Sequence, residues 1–288
     1  VGRLPNPTAP QLISHILEKE LNIEGVDNSS LPEYSGSEAW VYAFTVDKSI
    51  SSKKLIENIA SASPYILRFD AMGNFKLDVI RQTYTIGDYG AYPDDTILYN
   101  EEGNPTPNST ILETDVLDFS FSRTPIEDVY TKVELKYNWD YGRNEFQSRR
   151  VLDVDVFTCE DIDQFEGVQG YNYDYYGFQK DASGIYGDHT NTTLIVDDER
   201  GKYIRDDGTA ERFVTWMLSW HMNQHLKMKV KLPLKYMNLE IGDYIKFNKV
   251  LGDIKPYGID YSNITSDFAP YQQFHPFFLI TATRKTLE

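Results

Sequence analysis

The chain has 288 residues, enough for two domains or one large β-rich unit, and carries 44 acidic against 28 basic side chains, a net charge of −16. So acidic a balance argues against grip on phosphate backbones or anionic membrane surfaces, which need clustered Lys and Arg, and is the balance that solubility alone would favour. One cysteine, Cys159, excludes an internal disulfide framework and a zinc site built mainly on thiolates, and no apolar run approaches the roughly 18–20 residues of a bilayer-spanning helix.

The start shows no basic stretch followed by an apolar one, so a protein made soluble in a reducing compartment is expected. It begins at Val1 rather than Met, as a piece of a longer polypeptide would. The 21 tyrosines dominate an aromatic share of 14%. Tyrosine suits subunit contacts that stay wet at one end, and it suits β-rich folds equally.

In chain order, Pro7 to Leu21 predicts a first helix, with Leu12, Ile13, Ile16, Leu17 and Leu21 at helical spacing. Polar links at 28–30 and 35–37 precede a strand expected over Trp40–Val46. Ser51 or Ser52 caps a second helix with Leu55, Ile56 and Ile59 inward, stopped by Pro64. Tyr65–Phe69 and Phe75–Ile80 flank a Gly73-Asn74 turn and predict a hairpin. Residues 84–110, rich in Gly and Pro, predict an exposed loop.

Strands of period two are expected over Val116–Phe121, Thr131–Tyr137 and Arg150–Val156. The stretch 160–200 is acidic, rich in Tyr and Gly and without period, as an insertion or interface loop would be. Asp206 or Asp207 caps a helix bearing Phe213, Val214, Met217 and Leu218. A strand over Lys229–Tyr236, a tight corner at Leu239–Asp243, a strand at Tyr244–Phe247 and an apolar run at Phe277–Thr283 complete the chain. Gly242 supplies positive φ at that corner, and Asp243 a side chain that bonds the local backbone. Pro233 is tolerated in a strand only at an edge or where no donor is needed.

Few patterns point to chemistry. His221 and His225 stand at i and i+4, but Met222 occupies the place where a zinc protease needs Glu, and no third ligand is apparent. The clusters Asp94-Asp95, Asp153/Asp155, Asp161/Asp163, Asp197-Asp198-Glu199 and Asp206-Asp207 are of a type that can bind calcium, but none fits the EF-hand loop. A glycosidase pair is permitted by composition without being picked out by it. With no phosphate loop, nucleophile elbow or paired cysteines, no catalytic, cofactor or metal residue is assigned and a non-enzymatic role is expected.

Several local patterns carry a resemblance. They are Pro7–Ile13 with Glu18–Leu21, Phe44–Ile50 followed by Lys53–Ala60, Thr124–Val129, Tyr171–Tyr175, and Trp220–His225 leading into Leu232–Leu234 and Gly242-Asp243. In that order they resemble baseplate-hub and tail-tip proteins of long-tailed, marine myovirus-like bacteriophages. The resemblance implies an α+β, predominantly β fold with small antiparallel barrel-like domains. The expected division is an N-terminal α+β unit at 1–83, an exposed loop at 84–112, and a β-rich hub region at 113–288 ending in a helix-plus-barrel module. It further implies a structural role in a ring of three that ends the tail tube, each subunit giving two barrel-like domains. The implied partners are the tube and other baseplate proteins, with no cofactor, no specific nucleic-acid binding and no membrane segment. The implied location is the virion tail, after synthesis in the host cytoplasm. The alternative is a carbohydrate-binding or carbohydrate-cleaving tail protein whose 84–110 and 160–200 loops present Tyr and Asp, Tyr173 and Tyr175 among them, to sugars.

Overall fold

Hydrogen-bonding side chains placed next to apolar periodicity set most of the helix starts. The computed structural model describes residues 7–23, 40–69, 75–79, 110–130, 132–153, 193–221, 224–249, 252, 254–258, 265–268, 272–274 and 278–286. The first elements are α1 (Ala9–His15), which runs on as a π turn over Ile16–Glu20, and α2 (Ser52–Ser61). Strands β1 (Tyr65–Phe69), β2 (Phe75–Val79), β3 (Thr110–Ile111), β4 (Asp118–Arg123), β5 (Lys132–Asp140), β6 (Glu145–Asp153) and β7 (Thr193–Val196) follow. Then come α3 (Arg200–Tyr203), α4 (Asp207–His221), β8 (Leu226–Lys231), β9 (Tyr244–Phe247), β10 (Thr265–Phe268), β11 (Gln272–Phe274) and β12 (Phe278–Leu279). The fold is α+β. Among the described residues helix and strand take about 32% and 31%, an even mixture of the two.

Chain contacts gather into two compact units, each drawn from three segments. The first is Val1–Gln82 with Glu127–Cys159 and Lys180–Asn223. Its sheet has the order β6-β5-β7, with β6 antiparallel and β7 parallel to β5. Val133, Leu135 and Tyr137 alternate inward from β5 toward α4, whose Phe213, Val214, Met217 and Leu218 are buried. Asp206 Oδ2 accepts the Thr209 N–H at 2.7 Å and so starts α4. At the other end of the unit, Ser51 Oγ accepts the Lys54 N–H at 3.3 Å, and Ile56 and Ile59 are buried while Leu55 is half-buried. β1 and β2 form the expected antiparallel hairpin, Leu67 opposite Leu77. Its turn, 70–74, lies outside the described residues.

Four differences from the sequence expectation arise in this unit. Pro7 does not open α1. Thr8 precedes the helix, its N–H donated to Gln11 Oε1 at 3.2 Å, and the Pro7 carbonyl accepts instead from Tyr42 N–H at 2.9 Å. Residues 40–46 form no strand beyond one bridge, Thr8 to Val41. Their backbone is held by a side-chain hydroxyl, Thr209 Oγ1 on the Val41 N–H at 3.0 Å, by the Tyr203 carbonyl on Ala43 N–H, and by the Tyr141 hydroxyl on Thr45 N–H. β6 begins at Glu145, since Asp140 Oδ1 accepts from both Gly142 and Arg143 N–H and Asn144 takes φ 55, which closes a hairpin onto β5. β7 lies within the stretch expected to be aperiodic and α3 starts at its last residue, while that stretch up to residue 192 is outside the described residues.

α3 sits against β5 through Gly201, where a Cβ would collide with the Lys136 carbonyl oxygen and stand 3.1 Å from Phe146 Cε1. That approach places Lys202 Nζ 4.5 Å from the centre of the Trp139 ring, which meets Phe146 edge-on at 4.8 Å.

The second unit is Thr83–Ile126 with Glu160–Gln179 and Gln224–Glu288. β9 is the centre of a small sheet, β12 antiparallel and β3 parallel to it, and β4 pairs antiparallel with β8. Ile111, Tyr236, Leu239, Ile245 and Phe247 form the core, with Val116, Met228, Val230, Leu232 and Phe278 packed on it. β8 stops at Lys231, earlier than expected. Pro233 has no N–H to give a ladder and leads into a 3-10 turn at Leu234–Tyr236. β4 starts at Asp118 rather than Val116 because Glu113–Asp115 is a 3-10 turn. The Gly242 corner therefore joins a 3-10 turn to β9 and not two strands. Gly242 has φ 95 and donates to Ile280 O at 2.9 Å, and Asp243 Oδ2 accepts from Glu240 N–H at 2.8 Å. Of the apolar run at 277–283, only Phe278–Leu279 pairs as strand. Among the described residues the strands close no barrel, and no helix is long and apolar enough to cross a membrane.

Candidate functional site

Among the described residues of the second unit, the β4–β8 ribbon presents two contrasting faces. Its register sets Phe119 against Val230, Phe121 against Met228 and Arg123 against Leu226 on one face, and Asp118, Ser120 and Ser122 against Lys231, Lys229 and Lys227 on the other. On the first face β8 packs on the core while the phenyl rings of β4 remain 37% and 38% exposed. They lie nearly parallel at 6.3 Å, Tyr257 meets Phe121 edge-on at 6.0 Å, and the Arg123 guanidinium stands 5.3 Å over the Tyr257 ring. Tyr257 is itself 51% exposed and holds φ 54, a left-handed conformation that costs a bulky residue roughly 1–2 kcal/mol.

The other face is polar. Lys227, Lys229 and Lys231 are all exposed, and among the described residues none has a carboxylate at ion-pair distance. Three unmatched lysines at alternate positions make a basic stripe on a chain of net charge −16.

Among the described residues nothing pairs with the outer edge of β4. The Thr124 N–H reaches His225 O at 3.0 Å, which sets the phase of the ladder. Asp118, Ser120 and Ser122 then point their backbone groups at β8, and Phe119 and Phe121 point theirs away. The Phe119 N–H is taken by Asp118 Oδ1 at 2.9 Å, while the Phe121 backbone meets no partner among the described residues.

A tight polar tie anchors the start of β4. Asp115 Oδ2 accepts from Tyr236 Oη at 2.6 Å and pairs with Lys235 Nζ at 2.5 Å, and Tyr236 Oη accepts from Leu112 N–H. The Lys235 and Tyr236 hydrogen bonds hold the Asp115 carboxyl below its ordinary pKa, and burial followed by Asp115 pushes the Tyr236 phenol up. Shifts in those directions keep the carboxylate charged and the phenol neutral through the neutral range. They describe a tie and not a proton shuttle.

The sequence candidates fall elsewhere. α4 ends at His221, so His225 does not share its helical face. The His221 ring meets Tyr130 edge-on at 5.9 Å, and His225 uses its backbone on Thr124. Asp197, Asp198 and Glu199 are spent on Lys136, Arg200 and Lys202. Asp206 caps α4, and Asp207 accepts the Tyr137 hydroxyl at 2.6 Å. Asp94, Asp95, Asp155, Asp161, Asp163, Tyr173 and Tyr175 lie outside the described residues, as do 84–109 of the loop expected to face sugars. Among the described residues no three His, Cys, Asp or Glu gather as metal ligands would. Lys227, Arg123 and Tyr257 went unnoticed in the sequence, although the alternation Leu-Lys-Met-Lys-Val-Lys from Leu226 carries the signal for the first. Comparison with known proteins returns no matching family model and no matching curated sequence.

Proposed function

We propose that this chain is a structural component of a phage tail, part of the hub or tip ring that ends the tail tube and organises the baseplate. The observation that carries the proposal is the β4–β8 ribbon, a surface with part-exposed phenyl rings and, among the described residues, an unmatched basic stripe and an unpaired strand edge. Surfaces of this kind belong to subunits that assemble. The order of tail-like sequence patterns supports the same reading. So does the presence of two compact units per chain, since three copies would offer six units to a six-fold tube. The reading rests on these features and not on closed barrels.

Size-exclusion chromatography with light scattering on the full chain tests it. A trimer is the expected result, and a clean monomer at high concentration would overturn the ring.

A further inference from the structure

We infer that the outer edge of β4 receives an extended segment of a partner protein in which apolar and acidic residues alternate, added as a further strand of the ribbon. The inference concerns which chemistry the ribbon accepts and holds whether or not the chain forms a ring. Three features fix that chemistry. The Phe121 N–H and C=O face outward without a partner among the described residues, so the backbone of β4 is set to pair with a strand about 4.8 Å away. On one side of that strand, side chains would meet the half-exposed rings of Phe119 and Phe121, with Tyr257 beside Phe121, and would therefore be apolar.

On the opposite side they would look across Ser120 and Ser122 toward Lys229 and Lys227. Serine is small enough for a lysine stem to lean over it, and Lys227 and Lys229, which face serines where Lys231 faces Asp118, select acidic partners. The period of two in both requirements is the period of a strand.

A nucleic acid fits poorly. The rings and the lysines lie on opposite faces of the ribbon, so a base stacked on Phe119 or Phe121 would hold its phosphate away from the basic stripe. Lysines can also serve merely to keep strand edges from self-pairing. Here they stand on β8, and among the described residues no lysine lies on β4, whose outer edge is the one in question.

The test uses the full chain and a fluorescein-labelled peptide of alternating Val and Glu, followed by anisotropy. Saturable binding that weakens with salt is expected. The triple change Lys227→Gln, Lys229→Gln, Lys231→Gln should weaken it about tenfold, and an alternating Val-Lys peptide should not compete. Phe121→Pro removes the outward N–H without touching the β8 ladder and should abolish binding, with the melting temperature as the check on folding. Should that variant not fold, hydrogen exchange of the unaltered chain gives the same information, since the peptide must slow the Phe121 amide. Absence of saturable binding, equal affinity after the triple change, an unprotected Phe121 amide, or preference for an oligothymidine over the Val-Glu peptide would each overturn the inference.

Discussion

Gly201→Ala is the sharpest test of how the first unit is put together. The added methyl would collide with the Lys136 carbonyl oxygen and stand 3.1 Å from both the Lys136 carbonyl carbon and Phe146 Cε1. The obstacle is backbone of β5, held between β6 and β7, so it cannot yield as a side chain would. α3 has to move off the sheet instead. That shift loosens Tyr203, which is buried, packs edge-on with Phe44 at 4.7 Å and accepts from Asn58 Nδ2 at 3.1 Å. Overpacking of a well-filled site costs typically 1–3 kcal/mol, and a backbone obstacle places this one near the upper end. Alanine's better helix propensity returns up to about 1 kcal/mol, which leaves a net loss of roughly 2 kcal/mol. For a unit of this size that lowers Tm by about 4–8 °C. Differential scanning calorimetry of Gly201→Ala beside Gly142→Ala makes the comparison. Gly142 sits in the hairpin turn with only the Asp140 carboxylate near, so its variant should stay within about 0.5 kcal/mol of the parent. Equal melting of Gly201→Ala and the parent would refute the close approach of α3 to β5.

Two further outcomes follow from the same geometry. Gly242→Val forces a β-branched residue to φ 95 and should cost roughly 1–3 kcal/mol, whereas Asp243→Asn keeps an acceptor for the Glu240 N–H and should cost far less; thermal melts of the pair compare them. Tyr137 is pushed up to about 12 by burial first and then by Asp207, so its phenolate should appear late in an absorbance titration, and earlier in Asp207→Asn. A raised pKa means that the folded state holds the proton more tightly. The associated stability is therefore intact below the ordinary tyrosine value near 10 and drains away as pH rises toward about 12.

What the sequence made legible is what local physics controls. α4 was readable because Phe213, Val214, Met217 and Leu218 fall on one face behind an Asp cap. β9 and the β1–β2 hairpin were readable because short apolar strands sit between turn residues. Some differences are local turns, and two others come from a partner far away in the chain. Trp40–Val46 has strand composition, yet its backbone N–H groups go to Pro7 and, more than 90 positions on, to Thr209, Tyr203 and Tyr141. β7 is only four residues long and exists because β5 offers it a parallel edge. The ribbon was half legible. Its lysine alternation is written in the sequence, but its pairing with β4, and hence the sorting of rings and lysines onto opposite faces, is not.

The tyrosines show how composition leaves two readings open that the bonding of the hydroxyls can sort. An abundance of Tyr fits wet interfaces and β-rich cores alike, and for the described residues the bonding of the hydroxyls separates the two. Tyr42 donates to Ala62 O, Tyr137 to Asp207 and Tyr236 to Asp115, while Tyr203 accepts from Asn58 and Tyr141 from Thr45. Each spends its polar tip inside its own unit, joining segments distant in sequence, so these tyrosines hold the fold together instead of advertising a surface. Beside Tyr257, the aromatic side chains exposed at the ribbon include Phe119 and Phe121, which have no polar tip to satisfy and gain nothing from water. Exposed phenylalanine on an open strand edge is the costlier arrangement for a solitary molecule, and for that reason it is the stronger argument for a partner.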